Sequence, residues 1–120
     1  MTLIGLHHVQ FAIPQGEEYK ARDFYAGLLL LTEVDKPPAL AGRGGCWFES
    51  GSLRVHLGVE TPFAPSRKAH PALEVEGLAA WAERLAEGGA PVIPDDDLPG
   101  FRRFYTADPF GNRIELLEAI

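Results

Sequence analysis

The feature that most constrains this chain is an internal echo. The segment "RVHLGV", residues 54–59, is matched near the end by "RIELLE", residues 113–118. Each copy runs arginine, β-branched residue, candidate metal ligand, leucine. The ligand is His56 in the first and Glu115 in the second. A second match opens each half: "HVQFAI" from His8 and "HPALEV" from His70 share a histidine, a large apolar residue three places on and a β-branched residue two places later. The two offsets, 62 and 59 residues, agree closely. A chain of 120 residues is therefore read as two copies of a unit of about 60, which restricts it to folds built by pairing one supersecondary unit with its duplicate.

The elements within each half follow the same order. "LHHVQFAIP" alternates as a strand does and stops at Pro14. "EEYKARDFYAGLL" puts Ala21, Phe24, Tyr25 and Leu28 on one helical face. "LTEVDK", "GGCWFES" and "SLRVHLGVE" read as three short strands, the last two joined by a hairpin turn near Gly51. In the second half "AHPALEVE" is a strand. "GLAAWAERLAEGG" is a helix with Leu78, Trp81, Ala82 and Leu85 on one face, ended by Gly88 and Gly89. "PVIPDD" is a strand weakened by prolines, and "GFRRFYTA" and "NRIELLEA" are stronger ones. The turn "DPFGN" between them has Pro109 to pre-set φ, Gly111 for a positive φ, and Asp108 to bond forward to the backbone. The expected order is βαβββ twice, an α+β class. One domain over residues 1–120 is expected, with module one at about 1–60, an extended connector at about 61–67 and module two at about 68–120.

Composition narrows the partners. Acidic residues outnumber basic ones, 17 to 11, and no run of lysine and arginine occurs, which argues against nucleic acid. One cysteine, Cys46, permits no intrachain disulfide and suits a cytoplasmic location. No signal peptide or membrane-spanning run is recognised, so no membrane association is expected.

His8, His56, His70 and Glu115 are the positions that match across the repeat, and each is expected on a strand. Side chains two apart share a strand face, so Gln10, Arg54, Glu74 and Arg113 accompany them, and so polar an inner face needs partners, water or a metal. Three imidazoles and a carboxylate suit Zn, Ni, Mn, Fe(II) or Co rather than calcium. His7 is expected to point away from His8. On "FRRFYT", Arg103 and Tyr105 share one face, Arg102 and Phe104 the other. A guanidinium and a phenol together suit a carboxylate or phosphonate. Cys46 is read as a packed thiol, Trp47 and Phe48 as apolar wall or core, and "DDD" at residues 95–97 as a solvated loop.

With these residues in place, the chain resembles the vicinal oxygen chelate superfamily, which includes glyoxalase I, fosfomycin-resistance enzymes, extradiol dioxygenases and bleomycin-binding proteins. "LHHVQFAIP", "RVHLGV", "AHPALEV" and "DPFGNRIELLE" fall in the family's order, and the last resembles its Asp-Pro-x-Gly-x-x-x-Glu ending. The resemblance implies two βαβββ modules forming a curved, incompletely closed mixed sheet around a metal. It places His8, His70 and Glu115 at the three commonest ligand positions. His56 falls at a fourth, where glyoxalase I has glutamate and the fosfomycin enzymes have no ligand. Tyr105 falls where fosfomycin enzymes place a tyrosine near the substrate's anionic group.

The leading expectation is a divalent-metal-dependent enzyme acting on a small, oxygen-rich, anionic molecule by glyoxalase-like lyase or isomerase chemistry or by ring opening. Metal ligands are His8, His56, His70 and Glu115, with Glu115 also catalytic and Arg103 and Tyr105 binding substrate. The alternatives are a non-catalytic drug- or metabolite-binding protein of the bleomycin-resistance type, and an extradiol-type dioxygenase, which a third histidine on the metal disfavours. The resemblance further implies a homodimer, with His8 and His56 of one chain meeting His70 and Glu115 of the other.

Overall fold

The computed structural model describes residues 1–120 as two compact units, Met1–Ala64 and Pro65–Ile120. In the first unit β1 (Val9–Ile13) leads to α1 (Glu18–Arg22), then β2 (Thr32–Val34), β3 (Cys46–Ser50) and β4 (Leu53–Val59). In the second, β5 (Ala72–Glu74) leads to α2 (Leu78–Glu87), then β6 (Ile93–Pro94), β7 (Phe101–Ala107) and β8 (Arg113–Ala119). The α+β class and the duplicated βαβββ order are as the sequence implies. Each unit has its own four-stranded mixed sheet, ordered β1-β4-β3-β2 and β5-β8-β7-β6, and neither closes on itself. First and last strands of each unit pair parallel, and the remaining pairs are antiparallel.

Alternation along the strands decides which sheet face is covered. In unit 1, Phe11, Ile13, Phe48, Val55 and Leu57 are buried beneath Ala21, Phe24 and Tyr25. In unit 2, Phe104, Ile114 and Leu116 are buried with Leu85 of α2. Each large apolar side chain so buried stabilises its unit by roughly 1.5–3 kcal/mol. The alternate residues, Gln10, Trp47, Arg54 and His56 in unit 1 and Arg103, Tyr105, Arg113 and Glu115 in unit 2, are left on the opposite face.

Three local departures have physical causes. The helical segment of unit 1 widens into a π-helical turn over Asp23–Leu28, with the Leu29 N–H donating to the Phe24 carbonyl. The extra residue per turn rotates the chain, so Leu29 is buried where a regular helix would bury Leu28. Leu30 then takes φ 60°, the left-handed conformation that commonly follows a helix, although it is not glycine. Second, a 3-10 helix at Pro38–Arg43, which no apolar period announces, fills the link between β2 and β3. Third, His8 precedes β1 by one residue and His70 precedes β5 by two, so neither lies within a strand as expected. Pro71 follows His70 and has no N–H for the ladder, although its carbonyl accepts from the Glu115 N–H at 3.0 Å.

Candidate metal centre

Unit 1 brings His8 and His56 together. Pairing of β1 with β4 aligns Gln10 with His56, and the β3–β4 hairpin aligns Trp47 with it. The His56 ring is a filling between two others: Trp47 stacks on one side at 3.8 Å and 2°, and His8 at 4.1 Å and 19°. His56 is only 5% exposed although it lies on the face that α1 does not cover. Burial pushes its pKa below the ordinary value, and the neighbouring His8 and His7 rings push the same way. The ring is therefore held neutral at pH 7, the form a metal requires. His7 is exposed, but it does not point away from His8 as expected: His8 lies outside the strand, where side-chain alternation does not apply, and the two Nδ1 atoms are 3.0 Å apart.

Unit 2 brings His70 and Glu115 together. The His70 Nδ1 lies 2.9 Å from the Lys68 carbonyl oxygen, which can only accept, so Nδ1 carries the proton. Nε2 faces Glu115 Oε1 at 3.0 Å. In the neutral ring Nε2 is an acceptor, and so is the carboxylate. Two acceptors at this distance call for a positive species, either a proton on Nε2 or a metal ion. Metal-bound histidines commonly have the other ring nitrogen donating to a carbonyl in this way. Two ligand atoms sharing an ion at about 2.1 Å stand about 3.0–3.4 Å apart, so the spacing fits. Within either unit no group of three His, Cys, Asp or Glu side chains gathers to hold a metal.

The strand register of "FRRFYT" is as expected: Phe104 is buried, Arg102 is exposed, and Arg103 and Tyr105 share the face of Glu115. Arg103, however, is already engaged. It donates to Glu115 Oε1 at 3.3 Å and to Asp95 Oδ1 at 3.1 Å. It therefore orients the carboxylate, and Asp95 orients it. Asp95 is thus a structural partner of the site, while Asp96 and Asp97 are exposed as expected of a solvated loop. Tyr105 sits opposite Glu115 in the β7–β8 register, with its ring edge-on to His70 at 5.2 Å. Cys46 is buried as expected, its thiol pushed up to about 11 by desolvation.

Two contributors escaped the sequence reading. The Lys68 carbonyl gave no signal, since any residue supplies one. Asp95 is bonded across a loop whose path strand patterns do not reveal. Trp47, read as apolar wall or core, is placed against His56 by counting outward from the hairpin turn, which pairs Ser50 with Leu53 and hence Trp47 with His56.

No helix of the chain is long and apolar enough to cross a membrane. Among curated proteins none matches the chain significantly. Solved structures do. A protein from Bacillus anthracis described as of the glyoxalase family is 43% identical, with a TM-score of 0.96, over 100% of this chain and 98% of its own. The fosfomycin resistance protein FosX from Listeria monocytogenes is 15% identical, TM-score 0.75, over 99% and 94% of the two chains. The antibiotic binding protein TnmS3 from Streptomyces sp. CB03234 is 23% identical, TM-score 0.75, over 99% and 100%. The last two share the fold. A family model matches residues 5–116, nearly the whole chain, and with the duplicated βαβββ units it makes this protein a member of the Glyoxalase/Bleomycin resistance protein/Dioxygenase superfamily.

Proposed function

We propose that the protein is a divalent-metal-dependent enzyme acting on a small, oxygen-rich, anionic molecule by lyase, isomerase or ring-opening chemistry. The observation that carries this reading is the facing pair of acceptors, His70 Nε2 and Glu115 Oε1, with the His70 tautomer fixed by Lys68. His8, His56, His70 and Glu115 would hold the ion, one of Zn, Ni, Mn, Fe or Co. A bound divalent ion supplies Lewis acidity that stabilises negative charge on a substrate oxygen. Arg103 fixes the Glu115 carboxylate by donating to Oε1, which leaves Oε2 free of that bond to accept a substrate proton. Arg103 serves the site through Glu115, while Tyr105 faces the substrate. The stack of Trp47, His56 and His8 keeps water from the His56 ring.

Each unit supplies two ligands, fewer than the three or four protein groups a divalent metal site takes. Two half-sites therefore have to be joined, and in the proposed enzyme a homodimer joins them, His8 and His56 of one chain completing a site with His70 and Glu115 of a second copy. Elemental analysis and calorimetry with Zn, Ni, Mn and Co should give one ion per chain, with His70→Ala weakening binding far more than His7→Ala. No stoichiometric metal, together with tight binding of an apolar drug, would replace this reading with sequestration without turnover. Mixing His8→Ala with Glu115→Ala protein tests the shared site, because a mixed dimer has one intact site. Random exchange then restores about a quarter of wild-type metal binding. Proven exchange without recovery would place each site in a single chain.

A further inference from the structure

Arg103 is the expected anion-binding residue, and its two terminal nitrogens already donate to Asp95 and Glu115. A different pair of arginines on the same unit makes no ion pair, although Arg113 lies near enough to Asp95 to favour its charged form. Arg67, in the connector, and Arg113, at the start of β8, line one pocket of about 410 Å³ with Tyr105, Ile93 and Pro91. The ion pairs of the chain involve Lys20, Arg22, His70 and Arg103, and neither Arg67 nor Arg113 is among them. Arg113 is half-buried, with its guanidinium carbon 3.8 Å from the centroid of the Tyr105 ring. A guanidinium lying over an aromatic face is held in place by that contact while the N–H groups in its plane remain available to a ligand. Two guanidinium groups in one concavity repel each other unless an anion joins them. The chain's net charge is −6, so a cationic concavity stands against the general charge of the protein.

We propose that this pocket is an oxyanion subsite, with Arg113 as its principal donor, Arg67 as its second cation, and Ile93 and Pro91 as the wall for an apolar body. The occupant is a carboxylate or phosphoryl group carried on a small organic molecule. Arg113 lies two residues before Glu115 on β8, so the two share a face about 6.6 Å apart along the strand. A substrate held at Glu115 and anchored at Arg113 therefore carries its anionic group on the same small molecule as the atoms that react, a few bonds away from them. This link between subsite and chemistry rests on the proposed metal-dependent function. The binding of the anion does not.

The test uses the full chain, freed of metal on a chelating resin and with residual metal measured, so that the metal cannot supply the binding. Inorganic phosphate, phenylphosphonate and benzoate are titrated at constant ionic strength while the Nε–Hε resonances of the arginines are followed by NMR. Saturable shifts at Arg113 and Arg67 are expected, with tighter binding of the two aromatic probes than of inorganic phosphate. Comparison of phenylphosphonate with benzoate identifies the preferred oxyanion. Arg113→Gln should weaken binding about tenfold or more, Arg67→Gln by less, and Arg102→Gln not at all. Thermal melts of each variant guard against misfolding, and Arg113→Lys, which keeps the charge but loses the planar fork, should be intermediate. Shifts that never saturate, unchanged binding in Arg113→Gln, or an equal loss in Arg102→Gln would overturn the subsite. Anion binding at Arg113 in a protein that takes up no metal would instead overturn the metal-dependent function and leave the subsite standing.

Discussion

Replacing Asn112 by alanine should cost this protein about 3 kcal/mol, although the residue touches no expected ligand. Asn112 is fully buried, and Asp108 beside it is 5% exposed. Asp108 Oδ1 accepts from the backbone N–H groups of Phe110 and Asn112 at 3.0 and 2.9 Å, which closes the turn. The Asn112 side chain then works in two directions. Its Nδ2 donates to Asp108 Oδ2 at 2.9 Å, and its Oδ1 accepts from the Ser66 N–H at 2.9 Å. Alanine leaves one carboxylate oxygen and one amide N–H without those partners. Each such group costs about 1–3 kcal/mol when water cannot replace the partner. The Ser66 bond is only partly buried, so the lower half of the summed range applies, about 3 kcal/mol. At about 4 °C per kcal/mol for a chain of this size, the melting temperature should fall by about 12 °C. Urea denaturation followed by circular dichroism measures the loss directly. Asn112→Asp is the companion variant. It retains an acceptor for Ser66 but sets a second carboxylate against Asp108. One acid of such a pair has a raised native pKa, so the native state binds an extra proton and stability recovers as pH falls toward 4. A loss below about 1 kcal/mol in Asn112→Ala, or no acid recovery in Asn112→Asp, would refute the argument that this side chain ties the connector to the start of β8.

Two further expectations concern single groups. The His56 pKa is lowered in the folded protein, so on acidification the unfolded chain takes up its proton first; metal-free stability should be full above the ordinary value of 6.5 and decline below it, and His56→Leu should flatten that slope in urea midpoints measured from pH 5 to 8. The Cys46 thiol, buried and raised to about 11, should resist a disulfide exchange reagent at pH 8 in the native protein and react at once in guanidinium; prompt native reaction would show that β3 opens readily.

The duplication, the class and the residues that match across the repeat were legible because strand alternation and turn chemistry are local properties. The "DPFGN" turn forms as its residues imply, with Asp108 bonding forward to the backbone. What the sequence concealed is non-local. The Asn112–Ser66 bond joins residues far apart in the chain, and no pattern marks either end. The π-helical turn has Phe24 and Tyr25 buried within it and no propensity that marks it, so the burial of Leu29 in place of Leu28 could not be foreseen. Arg103 was correctly assigned to the face of Glu115, but its partner Asp95 was hidden in an acidic run that composition alone reads as solvated. Periodicity can say which way a side chain points, but not which neighbour reaches it first.

In both units the strand that begins the module hydrogen-bonds to the strand that ends it, β1 to β4 and β5 to β8. A sheet of this order cannot be completed while its last strand is still in the ribosomal tunnel. Once that strand has emerged, all four strands of the unit are present without help from the other half. Unit 1 can thus finish its own pairing before unit 2 has emerged from the tunnel, at the entropic cost of closing one long loop. The same closure makes the module a transferable cassette. Duplication, fusion or exchange between chains has only to remake the connector, because no strand of one sheet is borrowed from the other.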